Sequence, residues 1–475
     1  MRSESRLRRL STAFAALTVT VVSTAISAAP AAALTPPTVD PGALVKSAPV
    51  APPEPTKQNY LCSKSVRSGA HDLSKPSAAQ SMMNLPKAWE FSRGRGQKVA
   101  IIDTGVTPHP RLRRLTGGGD YVSTSSGLVD CDAHGTLVAG IIAAQPSGDD
   151  AFAGVAPDAS LISIRQSSGV YVAEDSRRSP DGKNADDPSV GSGYGSVRTL
   201  GNAIVRAVDL GATVINISEV ACTPATDGLN DRSLGAAVKY AYDRNVVVVV
   251  AAGNIASNSA CKDQNPSPGG ADLTGWGSVQ TIASPAWYSP YVLTVGAVDA
   301  TSGQPAPFSL HGPWLGVAAP GTDIVSLDNS RGSSGLVDAL AADKGGTQPI
   351  LGTSFATPYV AGTAALVRAR FPDLRAGEVI ERITRTAHAP GTGHDDQIGY
   401  GVVDPVAALT AELSDDKTGP PASKAIAAPA PEPPVDHTAR NVALVGGGVC
   451  LAVIAAVLAL ALPHRRVKRL DPDEF

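Results

Sequence analysis

Val99-Ala100-Ile101-Ile102-Asp103-Thr104-Gly105 is an apolar run that stops on a carboxylate and a turn glycine. Its side chains do not alternate apolar with polar, so a strand built from it must be covered on both faces, as in a parallel sheet with helices above and below. Five further runs share this character, at residues 160–164, 213–217, 245–251, 292–298 and 316–318. Between them, residues 136–144, 200–210, 234–244 and 354–370 carry apolar residues at helical spacing. The alternation predicts an α/β fold, a mostly parallel sheet with helices on both faces, in one domain over residues 85–410.

Composition limits what surrounds that domain. The chain has 475 residues, 43% hydrophobic and 17% charged, which excludes a mostly disordered polyelectrolyte. A mean hydropathy of +0.02 leaves no room for many membrane spans. The formal charge is −3 with no long basic run in the middle, so nucleic acid is not an expected partner.

The two ends set the compartment. Residues 1–33 carry Arg2, Arg6, Arg8 and Arg9, an uncharged stretch, and then small residues, the three parts of a secretory signal with cleavage after Ala29 or Ala33. A retained N-terminal anchor is the alternative. Residues 442–462 hold no charge and would span about 31 Å as a helix, the thickness of a bilayer core. Arg465, Arg466, Lys468 and Arg469 follow at once, so the 463–475 tail is expected in the cytoplasm and everything before the span outside. The leader holds four Arg against one Glu and the tail four basic against three acidic residues, so the exported part carries about −7.

Two proline-rich stretches flank the domain. Residues 34–84 begin with seven prolines by position 55 and read as an extension without its own core; residues 411–441 read as a semi-rigid linker. Residues 167–197 are rich in Gly, Ser and mixed charge and too long for an ordinary connection, either an interaction or substrate loop or a disordered one. Cys62, Cys131, Cys222 and Cys261 lie on the exported side, where three pairings are open to them and no C-x-x-C spacing favours zinc. Cys450 falls within the span, as a small lipid-depth residue or an acylation site.

The chemistry rests on four short motifs. Asp103-Thr-Gly alone suits an aspartic protease, but two such carboxylates are needed and the chain has no second copy. In Asp132-Ala-His134-Gly-Thr136 the histidine opens a helix; a lone histidine there is usually structural, and its meaning comes from company. Gly352-Thr-Ser354-Phe-Ala-Thr-Pro358 opens another helix, where free N–H groups favour developing negative charge, although a serine there also suits a cap. Ala356 rules out G-x-S-x-G. Gly253-Asn254 ends the 245–251 run and offers an amide donor for an oxyanion at the sheet edge.

The order Asp103, His134, Asn254, Ser354, in Ile-Asp-Thr-Gly, His-Gly-Thr, Ala-Ala-Gly-Asn and Gly-Thr-Ser-Phe-Ala-Thr-Pro, resembles the subtilisin-like serine proteases. Gly154-Val-Ala-Pro157, Phe308-Ser309, Ala319-Pro-Gly321 and Val360-Ala-Gly362 resemble their framework over about residues 85–410. The resemblance implies a Ser354, His134, Asp103 triad with Asn254 as oxyanion donor, no cofactor, and substrate lying near residues 160–164 and 217–220. Subtilases often bind calcium, but the sequence holds no dense Asp/Asn oxygen-ligand loop, so no dedicated metal site is expected. Ser218-Glu219-Val220-Ala221 departs from the Ser-Leu-Gly-Gly of many relatives, so specificity does not transfer.

Signal, proline-rich cysteine-bearing extension, inserted loops, linker and single span together resemble the mycosins, membrane-anchored subtilases of type VII secretion systems. That resemblance implies an extension wrapped on the catalytic domain, Cys62 paired with Cys131 and Cys222 with Cys261. It also implies an extracytoplasmic protease at the plasma membrane, with exported proteins as substrates and the secretion membrane complex as partner. A mainly structural role in that complex, with proteolysis secondary, is the alternative.

Overall fold

The computed structural model describes residues 34–413 except 176–186, 192, 258, 268–273, 343–344 and 392, together with 446–447, 449–454 and 457. The main sheet has seven strands, in chain order β1 (Lys98–Asp103), β2 (Leu115–Asp120), β3 (Ser160–Arg165), β4 (Val214–Ile217), β5 (Val247–Ala251), β6 (Leu293–Val298) and β7 (Leu315–Pro320). Side by side they run β2-β3-β1-β4-β5-β6-β7, every neighbouring pair parallel. The chain leaves β1 for β2 and β3 on one flank and then crosses to β4 on the other. β1 therefore stands at the point where the strand order reverses, and open α/β sheets leave a crevice there at the strands' carboxyl ends.

Six strands follow the apolar runs, and β2 does not. Its sequence, Leu-Thr-Gly-Gly-Gly-Asp, has neither a continuous apolar run nor alternation. It is held as an edge strand by pairing with β3.

Alternation of side chains along each strand fills two cores. Val99, Ile101, Val214, Val247, Val249, Val295 and Val317 enter one; Ala100, Ile102, Ile215, Ile217, Val248 and Val250 enter the other. The first core is completed by helices α1 (His134–Ala143) and α4 (Thr353–Arg370), the second by α2 (Val197–Asp209) and α3 (Arg232–Asp243). Every residue of α1 after His134 is buried, as is α4 from Thr353 to Val367. Helices apolar all round belong in a core. α1 and α4 pack on each other, so their first turns are mounted on rigid material. Ile101 is fully buried, and cutting it to alanine costs about 2–5 kcal/mol.

The 34–84 segment forms short elements that lean on the domain. Thr56–Gln58 pairs antiparallel with Tyr171–Ala173, and Ser65–Val66 with Ala339–Ala341. His71 bridges two carboxylates, Nε2 to Asp323 at 2.6 Å and Nδ1 to Asp338 at 2.9 Å. A short helix, Ala78–Met83, buries Ala79 and Met83 in the first core. Within 167–197, Ser168 and Tyr194 form an antiparallel bridge that ties the ends together.

By internal contacts the chain divides into Met1–Leu413 and Ser414–Phe475. In the second unit the described residues are helical, and no helix among the described residues is long and apolar enough to cross a membrane. The 1–33 leader, most of the 411–441 linker, much of the 442–462 stretch and the 463–475 tail lie outside the described residues.

Candidate active site

Asp103 is the last residue of β1 and fully buried. Its Oδ1 accepts from the Thr104 N–H at 2.7 Å and lies 2.7 Å from His134 Nδ1. His134 is the first residue of α1, the one residue of that helix still partly exposed. Gly135 permits the approach: a Cβ there would overlap the Gly105 carbonyl oxygen and lie 3.2 Å from Asp103 Oδ1. With Nδ1 engaged by a buried carboxylate, Nε2 is the ring nitrogen left to exchange a proton with a substrate or nucleophile.

Strand end and helix start are stapled together by a second acid. Asp130 accepts from Thr104 Oγ1 at 3.0 Å, and from the Thr136 N–H and Oγ1 at 2.8 and 2.6 Å. Thr104 Oγ1 in turn accepts from the Gly135 N–H at 2.9 Å. Asp130 thus serves the free N–H groups of α1's first turn. Burial raises its carboxyl to about 6, in spite of the hydrogen bonds from Thr136.

Ser354 is the second residue of α4, and Gly352 is the cap, so the serine hydroxyl is not spent on capping. Asn254 follows β5 at the same sheet edge. Its Oδ1 accepts from the Thr353 N–H at 2.9 Å and from Thr353 Oγ1 at 3.1 Å. That fixes the amide orientation and leaves Nδ2 as a donor. Gly352 lies between the two groups at φ 149°; a Cβ there would stand 3.0 Å from Ser354 Oγ and 3.3 Å from Asn254 Nδ2. The two halves of the site meet where the His134 ring lies 4.9 Å from that of Phe355, the residue after Ser354.

The electrostatics favour the protonated ring. Burial opposes a charge on His134, but Asp103, by its charge and hydrogen bond, then Glu219 and Asp130, raise it to about 9. Glu219 belongs to the segment that leaves the sheet after β4, and Ser167 Oγ donates to its Oε2. Burial and the Asp103 carboxylate raise Glu219 in turn.

The expected substrate walls are corrected on one side. Residues 160–164 belong to β3, whose two edges are taken by β1 and β2, so they have no free backbone to offer. The 218–220 segment does run beyond the sheet, although the Val220 carbonyl there accepts from the Gly191 N–H at 3.1 Å. Cys62 is bonded to Cys131, three residues before His134, and Cys222 to Cys261, bracing the segments after β4 and after Asn254. Asp130, Ser167 and Glu219 escaped sequence reasoning as members of the site. Glu219 alone had a signal, as the departure from Ser-Leu-Gly-Gly.

Fold and enzyme class are those of a subtilisin-like serine endopeptidase. The subtilase family model (Peptidase S8) matches residues 94–401. Mycosin-3 of Mycobacterium tuberculosis is 44% identical over 470 residues, 97% of this chain and 99% of the relative. Among solved structures, MycP1 from Mycobacterium smegmatis matches with a TM-score of 0.74 at 42% identity, over 82% of this chain and 97% of that one. A chain of an intact ESX-5 inner membrane complex matches with a TM-score of 0.74 at 42% identity, over 90% of this chain and 100% of that one. The chain belongs to the subtilase family and, within it, to the mycosins.

Proposed function

We propose that this chain is a membrane-anchored, extracytoplasmic serine endopeptidase of a type VII secretion system. Ser354 Oγ attacks the substrate carbonyl carbon while His134 Nε2 takes its proton; the same proton then goes to the leaving amine. Water enters by the same route in reverse and releases the acyl group. Asp103 holds the ring through Nδ1 and stabilises its cationic form. The Asn254 Nδ2 and the Ser354 N–H, at the open first turn of α4, receive the oxyanion. The observation that carries this reading is the 2.7 Å Asp103–His134 pair, its ring 4.9 Å from that of Phe355 beside Ser354, with a fixed Asn254 amide at the same sheet edge.

The compartment follows from the leader and the apolar 442–462 stretch with its basic flank. The role in secretion is supported by relatives solved as MycP1 of the ESX-1 system and within the ESX-5 inner membrane complex. Exported proteins are then the substrates. The test compares N-termini of exported proteins from cells making wild type with those making Ser354→Ala. New termini that depend on Ser354 are expected; identical sets would exclude processing of exported substrates. The likeness to a chain of a membrane complex also favours a structural contribution. If the complex assembles with Ser354→Ala and fails without the protein, that second role stands; failure in both removes it.

A further inference from the structure

Four pieces of chain far apart in sequence close round one cavity of about 650 Å³: residues 62–64 of the extension, 107–108 past β1, 128–130 before α1, and 329–332. The last piece is the tip of a hairpin, Ser326–Leu327 paired with Leu336–Val337, and Ser326 Oγ donates to the Leu137 carbonyl of α1 at 2.6 Å. The walls are fixed. Cys62 is bonded to Cys131. Asn329, itself buried, accepts from the Ser65 N–H and Oγ at 3.3 and 2.8 Å and donates to the Ser63 carbonyl at 3.2 Å. Asp130 is one wall of the cavity and, through Thr104 and Thr136, part of the scaffold of the Asp103–His134 pair. The cavity therefore abuts the loop that delivers His134. Its chemistry is mixed. Pro108 and Val129 leave apolar surface exposed in it. Lys64 and Arg331 are its cations, both exposed, and among the described residues no carboxylate comes within 4.0 Å of either. The one acid in the lining, Asp130, has both oxygens engaged, by Thr104 and the Asp132 N–H on one side and by Thr136 on the other. The unmatched charge of the cavity is thus positive, on an exported part that is acidic as a whole.

We propose that this cavity is an exosite for the substrate: Lys64 and Arg331 take carboxylates of an acidic segment of an exported protein, and Pro108, Leu128 and Val129 take an apolar side chain beside them. The proposal rests on the reading of this chain as an endopeptidase for exported proteins. Two cations on separate walls suit a segment with more than one acid. A volume within the roughly 300–1,000 Å³ of ligand sites is far more than one inorganic anion fills, and apolar walls give such an anion nothing. The cavity touches neither the reacting atoms nor the oxyanion, so it holds the ground state and the transition state equally. It lowers KM for a protein that carries the segment and leaves the reaction with a small reagent unchanged.

The test uses full-length protein in detergent with Ser354→Ala, so that nothing is cut, and a short fluorescent peptide of Asp, Glu, Leu and Val read by anisotropy. Saturable binding that weakens with salt is expected, with a loss of at least about tenfold in affinity on adding Lys64→Glu and Arg331→Glu. The same peptide with Lys in place of its acids should not bind. In the chain with Ser354 intact, the two substitutions should leave the rate of fluorophosphonate labelling unchanged and lower the yield of Ser354-dependent N-termini of exported proteins by a similar factor. No binding, binding untouched by the double variant, or displacement by inorganic phosphate beyond that of sodium chloride at equal ionic strength overturns the exosite. Salt-insensitive binding does so without any variant. Loss of the termini together with loss of the assembled secretion complex makes the occupant a partner in that complex and overturns the substrate. Termini that persist in full in the double variant overturn the exosite as well, whereas a wild type that yields no Ser354-dependent termini overturns the endopeptidase reading beneath it.

Discussion

Asn254 separates two roles that one side chain plays at once. Its Oδ1 anchors the first turn of α4 through two bonds from Thr353, and its Nδ2 is the proposed oxyanion donor. Asn254→Ala removes both, whereas Asn254→Asp keeps an acceptor for Thr353 and loses the donor. Loss of the donor alone costs about 10²- to 10³-fold in rate, the range known from a subtilisin, or about 2.7–4 kcal/mol of transition-state stabilisation. Loss of the anchor costs about 1 kcal/mol of stability for each bond to Thr353. A carboxylate near the N-terminus of α4 is not destabilising, since the helix dipole favours it. Asn254→Asp should therefore melt like wild type, yet acylate at least as slowly as Asn254→Ala, because its charge opposes the oxyanion. The assay pairs thermal melting with the kcat and KM of a peptide ester hydrolysed by full-length protein. If Asn254→Asp keeps a third or more of the wild-type kcat, the residue only holds Thr353, and the oxyanion assignment falls.

The extension yields two further predictions. His71 is raised above its ordinary 6.5, since hydrogen bonds and charge from Asp338 and Asp323 outweigh burial. Its contribution to docking is then full below pH 6.5 and lost as pH rises through the raised value; the protection factors of residues 65–75, with intrinsic exchange divided out, should fall over that range in wild type and stay level in His71→Ala. An unchanged exchange profile in wild type would sink this. Cys62→Ser opens a cross-link spanning 69 residues, worth about 4 kcal/mol in the chain-entropy account, so the oxidised variant should melt several degrees lower. Equal melting would mean the bridge constrains little.

How much was legible in the sequence depended on how each residue does its work. β1, β4 and β5 are buried on both faces, so their apolar runs announce them at full length. The edge strand β2 is built from three glycines, with no side chains to carry a period; its existence depends on pairing with β3, which is a property of the fold. Asp103 ends a strand, His134 and Ser354 stand in the first turns of helices, and Asn254 lies just past a strand, so local pattern located them. Asp130 and Ser167 act across the chain, through Thr104 and through Glu219, and no local spacing encodes that. The error over residues 160–164 has the same root. A strand's own sequence does not say that a glycine-rich neighbour occupies its outer edge.

Charge adds a consequence that composition concealed. The buried Asp103 that orients the His134 ring also favours its protonated form, against the cost of burial. Helices α1 and α4 fix where the histidine and serine stand, and Asp103 fixes which way the imidazole points.

The central claim is that Ser354 is the nucleophile of a working peptidase. Full-length protein treated with a fluorophosphonate at pH 9, digested and mapped by mass spectrometry, tests it most directly. A single adduct on Ser354, absent from Ser354→Ala and strongly slowed in His134→Ala, is the expected result. An adduct elsewhere, or equal labelling of Ser354→Ala, would contradict it.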